Sequence, residues 1–324
     1  MKEGGNSKEY PPGITKPHGD GQTYRTLRAQ TGFALPVFCS TIIALLCLWA
    51  MPAKARAETI LEAAQAVERE IGGRVGFYFH DQQTGQTIEY AHLERFPLNS
   101  TFKLLACAAL LLQVDEGKSR LSETVLLDGL KVVPYSPAIK QEMAAGHLAI
   151  TLSEACRMML SVSDNTAANI ILAEIGGPAG LTAHLRSLGD TTTRIDRWEP
   201  ELNEALPGDL RDTTTPKAVA QTMEMLLLGN RLSASTRAVL RNWLAGHAVA
   251  DELFRKVLPN DWSIEDRTGA GGHGSRSIIA IIYPPGRKPV IATLFLTQNS
   301  AAFSARNSAI ARVGAAIVKH IRAN

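Results

Sequence analysis

Metal-ligand spacing is missing from this chain. Its eight histidines form no H-x-H and no H-E-x-x-H. His80, His92, His147, His184, His247, His273 and His320 are scattered, so no metal and no other cofactor is expected. His273 reads as a rim residue beside the strand that carries Arg267. Glycine and proline, 26 and 16 residues, follow no collagen-like period, and no repeat or low-complexity tract appears. A basic nucleic-acid-binding surface is missing too, although the formal charge is +3. Residues 1–57 hold seven of the 34 Lys/Arg and three of the 31 Asp/Glu, which leaves 27 and 28 for the other 267 residues, a net of −1. The basic excess therefore belongs to the prefix alone, and no nucleic-acid partner is expected. Hydrophobic residues at 45% and charged residues at 20% are ordinary globular values and exclude a disordered chain.

The prefix explains its own charge. Phe33 to Met51 is almost wholly apolar, Arg25 and Arg28 precede it, and Ala55-Arg56-Ala57 follows. Basic flank, apolar core and small-x-small end describe a secretory signal peptide, with cleavage expected after Ala57. The other reading is an uncleaved anchor, because the apolar stretch is slightly long for a signal. Ala-x-Ala favours cleavage, hence a periplasmic protein with no stable membrane anchor; a monomer is expected. Cys39 and Cys47 would leave with the prefix. Cys107 and Cys156 remain, and in an oxidising compartment a disulfide between them is expected. Two buried thiols are the alternative, since both lie on apolar helical stretches.

Beyond residue 57 the pattern changes character twice. ETILEAAQAVEREI has helical spacing and is stopped by Gly72-Gly73. VGFYFHD and QTIEYA, joined at Gln83-Thr84-Gly85, read as a hairpin. From Ser100 to Leu244 helical segments dominate, among them KLLACAALLLQV, SEACRMMLSV and TAANIILAEI. Strands return in SIIAIIYPP and PVIATLFLTQ, and ARNSAIARVGAAIVKHI closes as a helix. Early and late strands must share one antiparallel sheet to be stable. The expected fold is therefore α/β of the α+β type: a sheet lobe from 58–98 and 243–324, and an all-helical lobe from 99–242. A cleft between them is where a site belongs.

Three short motifs could carry chemistry there. Ser100-Thr101-Phe102-Lys103 opens the most apolar helix. A serine at a helix start is usually a cap, but Lys103 lies on the same face one turn on. A lysine amid Ala106, Cys107 and Leu110 needs a purpose. Burial lowers its pKa, so that it can take a proton from serine, while helix N–H groups face an oxyanion. Ser163-Asp164-Asn165 separates two helices and by itself reads as a cap. Arg267-Thr268-Gly269, leading through Ala270-Gly271-Gly272 into a strand, by itself reads as a turn with a solvated arginine.

Together, in this order, the motifs resemble the serine β-lactamases and penicillin-binding proteins. The resemblance spans 58–324 and is nearest to class A. Within it, the carbenicillin-hydrolysing enzymes carry arginine where most relatives have K-T-G, as Arg267 does here. A fourth motif, Arg197-Trp198-Glu199-Pro200-Glu201-Leu202-Asn203, resembles the class A loop that supplies the deacylating base. The resemblance implies a five-stranded antiparallel sheet flanked by helices, and a cis bond before Pro200. It also implies an Arg197–Asp212 ion pair at the loop's neck.

The resemblance implies roles as well. Ser100 is the expected nucleophile, and the N–H groups of Ser100 and Ala270 form the oxyanion hole. Ser163 passes a proton to the leaving nitrogen, linked to Lys103 and Arg267. Glu199 and Asn203 activate water. Asn165 holds the acyl side-chain amide and Tyr135 lines the entrance, while Arg267, Thr268, Gly269 and Arg276 bind the carboxylate of a small β-lactam. Two rivals share the motifs. A D,D-peptidase or transpeptidase needs no Glu199…Asn203 loop. A non-enzymatic β-lactam sensor acylates once and needs further membrane segments.

Overall fold

The computed structural model describes residues 58–246 and 249–324, which belong to one compact unit, Arg56–Asn324. The expected export segment, with Cys39 and Cys47, lies outside the described residues, as does His247. Five strands form the main sheet: β1 (Arg74–Asp81), β2 (Thr87–Tyr90), β3 (Ser263–Ala270), β4 (Arg276–Tyr283) and β5 (Val290–Thr297). Their order is β2-β1-β5-β4-β3, and every neighbouring pair is antiparallel. Strands from both ends of the chain therefore interleave in one sheet, as the sequence required. The helices are α1 (Ile60–Ile71), α2 (Phe102–Asp115), α3 (Pro137–Ala144), α4 (Leu152–Ser161), α5 (Asn165–Glu174), α6 (Gly177–Ser187), α7 (Pro216–Leu227), α8 (Ala234–Ala245) and α9 (Phe303–Ala323).

Both faces of the sheet are covered, which explains the unbroken apolar runs of its central strands. On one face Val75, Phe77, Ile278, Ala280, Leu294 and Leu296 pack against α1 and α9. On the other, Tyr78, Ile279, Ile281, Ile291 and Phe295 meet the helical body. Alternate residues of one strand thus enter two different cores. Caps set the helix starts: Thr59 with Glu62 and Thr151 with Glu154 form capping boxes for α1 and α4. Helix α2 is buried all round from Phe102 to Leu111, as a uniformly apolar helix must be.

Strand β3 runs through Arg267-Thr268-Gly269, which alone could pass for a turn, and is the fifth strand that the resemblance implied. Glu, Asp and Gly depress strand propensity, yet here each charge is answered. Asp266 accepts from Arg255 Nε at 3.0 Å. Glu265 accepts from Arg241 Nε at 2.6 Å and from the Tyr283 hydroxyl at 2.7 Å. Pairing of those side chains permits an edge strand that the pattern hides.

Cys107 of α2 and Cys156 of α4 form a disulfide, with Cα atoms 5.9 Å apart across a separation of 49 residues. Closing a loop of that length stabilises by about 4 kcal/mol in the chain-entropy picture. Double replacement by alanine is expected to lower Tm clearly in calorimetry while leaving the same fold. An unchanged Tm would show that the bridge adds nothing. Among the described residues no helix is long and apolar enough to cross a membrane.

Candidate active site

Ser100 sits in the 3-10 turn Asn99–Thr101 that leads into α2. It is not consumed as a cap. The N-cap position of α2 is Thr101, which makes no side-chain cap bond, and its hydroxyl donates instead to the Leu98 carbonyl at 2.7 Å. Ser100 Oγ accepts from Ser163 Oγ at 3.1 Å. One turn further, Lys103 is fully buried. Its Nζ donates to the Ser163 carbonyl at 2.8 Å, Asn165 Oδ1 at 2.7 Å and Ser163 Oγ at 3.2 Å. Glu199 Oε1 lies 3.1 Å from the same nitrogen. The link expected between Lys103 and Ser100 therefore runs through Ser163.

Backbone conformation aims these groups. Ser163 has φ +63°, a left-handed setting that costs a non-glycine residue about 1–2 kcal/mol. In return both its oxygens reach Lys103. Asp164 follows as the cap of α5: Oδ1 accepts from Ala167 N at 2.9 Å. Its Oδ2 accepts from Ala138 N and Ile139 N at 2.9 and 3.0 Å, tying the turn to α3. Asn165 Nδ2 donates to the Pro134 carbonyl at 3.0 Å, which fixes the segment carrying Tyr135.

Glu199 is brought in by a loop with a closed neck. Arg197 Nε donates to Asp212 Oδ2 at 2.6 Å, and the Glu199–Pro200 bond is cis, as the resemblance implied. Asn203 Nδ2 donates to Glu199 Oε2 at 2.5 Å. Asn203 Oδ1 is buried and has no protein partner. Sequence reasoning missed Asn169. Its carboxamide accepts from Glu199 N and donates to Glu199 O, both at 2.9 Å, clamping the backbone of that residue. The signal was available: Asn165 and Asn169 are polar at i and i+4 on a largely apolar helix.

Arg267 meets Ser163, as the resemblance implied. It is fully buried. Its guanidinium donates to the carbonyls of Ser100 and Leu160 at 3.2 and 3.0 Å, and to Ser163 Oγ at 2.6 Å. The charge thus sits behind Ser163. Thr268, Gly269, Ala270 and Arg276 do line the cavity, together with Ser100, Tyr135, Ser163, Asn165 and Asn203, and its volume is about 570 Å³. Close approach explains the glycines of this strand end. A Cβ on Gly269 would come 2.7 Å from Ser277 Oγ, and one on Gly271 2.2 Å from Asn99 Oδ1.

Burial dominates the electrostatics. It pulls Lys103 down to about 8; Glu199 opposes the shift and Arg267 adds to it. Arg276 is pushed down to about 10, first by burial and then by the charge of Arg306. A lysine this close to neutrality, hydrogen-bonded to the serine that touches Ser100, can exchange a proton with it. Among the described residues no cluster of three or more His, Cys, Asp or Glu could hold a metal ion.

Comparison with known proteins agrees with this geometry. The model of the β-lactamase enzyme family matches residues 59–321. β-Lactamase AER-1 of Aeromonas hydrophila is 46% identical over 255 residues, 79% of this chain and 83% of that one. β-Lactamase CARB-3 of Pseudomonas aeruginosa is 44% identical over 260 residues, covering 80% and 89%. The solved structure of an ancestral class A β-lactamase superposes with a TM-score of 0.78 at 46% identity, over 81% of this chain and 100% of that one. The chain belongs to the class A β-lactamase family. This enzyme hydrolyses the β-lactam amide bond by a serine mechanism, and its substrates are small β-lactams. Hydrolysis of that bond confers resistance to the antibiotic.

Proposed function

We propose that Ser100 is the nucleophile that opens the lactam and carries the acyl group. The observation that carries this reading is the chain Ser100 Oγ–Ser163 Oγ–Lys103 Nζ, which ends on buried Glu199 3.1 Å away. The Lys103–Glu199 pair takes the Ser100 proton, and Ser163 relays one to the leaving nitrogen. The N–H groups of Ser100 and Ala270 hold the developing oxyanion, a stabilisation whose loss typically costs ~10²–10³ in rate. Tyr135 and Asn165 hold the acyl side. Thr268, Gly269 and Arg276 hold the ring carboxylate by charge-assisted hydrogen bonds. Arg267, boxed in by carbonyls, acts on Ser163 from behind. Glu199 and Asn203 then hold the water that cleaves the ester, for which the unpartnered Asn203 Oδ1 offers an acceptor.

The substrate range follows from Arg267. Its fixed positive charge beside Ser163 and its reach differ from those of a lysine. With the similarity to CARB-3, this supports a carboxypenicillin-hydrolysing enzyme. The measured kcat/KM for carbenicillin is expected within about tenfold of that for benzylpenicillin, a margin of ~1.4 kcal/mol in transition-state binding. Carbenicillin hydrolysis far below that of benzylpenicillin would remove this assignment. Residues 1–57 are proposed as an export segment cleaved after Ala57, giving a monomer in the periplasm. The prefix pattern and the disulfide both support that compartment. Residues 58–98 with 243–324, and 99–242, are proposed as the sheet and helical lobes.

A further inference from the structure

Large aromatic side chains are seldom left open to water without a use. Among the described residues three are exposed: Tyr135, Trp198 and Phe303. Trp198 lies against Gly177, where a Cβ would come 3.2 Å from its ring. Tyr135 serves the acyl side in the mechanism above. Phe303 has no part in that mechanism, yet it too lines the cavity, with half of its surface open. It is the first residue of α9 and shares one helical face with Arg306 and Asn307, three and four residues on. The Cζ atoms of Arg276 and Arg306 stand over its ring, 5.0 and 5.4 Å from the centroid.

Those contacts fix where the ring stands. Arg276 donates from Nε to Asn307 Oδ1 at 2.9 Å and from a terminal nitrogen to the Gly269 carbonyl at 3.0 Å. Arg306 donates to the Ser275 carbonyl at 3.3 Å. Cation–π attraction to two guanidiniums anchored in this way holds the ring still, so a ligand that meets it loses little by ordering it. Phe303 therefore belongs to the end of the cavity where Arg276 meets the ring carboxylate. Apart from Tyr135, the other apolar side chains on the wall are the smaller Val249 and Ala270. Asp251 and Glu252 also line it, Glu252 paired with Lys256 at 2.6 Å. Negative charge in that wall disfavours a second anionic group on the substrate, whereas a neutral apolar group can cover the open part of the Phe303 ring.

We propose that Phe303 is a specificity-determining residue, the apolar platform for β-lactams whose ring carries a neutral alkyl or aromatic substituent next to the ring carboxylate. This inference rests on the reading that Arg276 holds that carboxylate. A substituent laid against Phe303 removes apolar surface of both partners from water, and roughly 50–60 Å² buried in this way corresponds to about tenfold in affinity.

The test uses two cephalosporins with the same nucleus and acyl side chain, one with a methyl and one with a styryl group at C3, neither of which is a leaving group. In the whole enzyme, Phe303→Ala is expected to lower kcat/KM for the methyl compound about threefold or less, the part due to the lost contact with Arg276. For the styryl compound the fall should be about tenfold greater, mainly through KM. Phe303→Leu, which restores apolar area without an aromatic face, should recover most of that difference. Equal losses on both substrates would show that the ring serves only to hold Arg276, and would overturn the proposal. Undiminished hydrolysis of the styryl compound by Phe303→Ala, or a leucine variant no better than alanine, would overturn it too. Arg276→Gln on the methyl compound keeps the two ideas separable. If KM does not change there, the carboxylate assignment itself has failed; if KM rises there while the Phe303 variants treat both substrates alike, the present inference has.

Discussion

Ser100→Ala is expected to lower kcat by about 10⁶-fold, the scale seen when a serine nucleophile is removed. Ser100 Oγ reaches the rest of the protein through one hydrogen bond from Ser163 Oγ at 3.1 Å. Ser163 keeps its bond from Arg267 at 2.6 Å and its contact with Lys103 at 3.2 Å when that partner is lost. Stability should therefore change by about 1 kcal/mol or less, and activity loss cannot be attributed to unfolding. Unaltered circular dichroism and Tm, with no burst and no steady-state turnover of a chromogenic cephalosporin, is the expected result. Turnover within tenfold of wild type would remove Ser100 from the mechanism.

Glu199→Gln should separate the two halves of the reaction. Oε2 accepts from Asn203 and Oε1 faces Lys103, so the amide of glutamine must turn its NH₂ toward one donor or the other. A base is lost and a donor–donor conflict replaces it. Deacylation is expected to fall about 10²–10⁴-fold, the usual range for removal of a general base. Removing one partner of a buried ion pair normally costs about 3–5 kcal/mol. Here the cost is smaller, because Lys103 is already held down to about 8 and loses the support of Glu199. Its proton then leaves near neutral pH instead of remaining as an isolated buried charge. The variant should fold, acylate and stall. Wild-type turnover would contradict the role of the loop.

The sequence carried the architecture wherever chemistry and periodicity coincided. The interleaved sheet followed from strands at both ends of the chain, and α2 from an unbroken apolar run. Strand β3 followed from the resemblance and not from periodicity, because its buried positions carry Glu265, Asp266 and Arg267, whose partners Arg241, Arg255 and Ser163 lie on other elements. The same cause concealed the backbone partners of Arg267, though its link to Ser163 was expected. A motif places an arginine near a substrate, but only tertiary contacts reveal that the Ser100 and Leu160 carbonyls occupy its guanidinium. Asn169 was legible in principle from its spacing to Asn165. The pairing of Arg306 with Arg276 through Phe303 was not, since it joins a strand start to a helix start 27 or more residues away.

Intact-protein mass spectrometry of the Glu199→Gln enzyme mixed with benzylpenicillin tests the central claim most directly. One adduct of the full penicillin mass, accumulating within seconds and mapping to the peptide that contains Ser100, is the expected result. An unmodified protein, or an adduct that maps elsewhere or persists in Ser100→Ala, would contradict it.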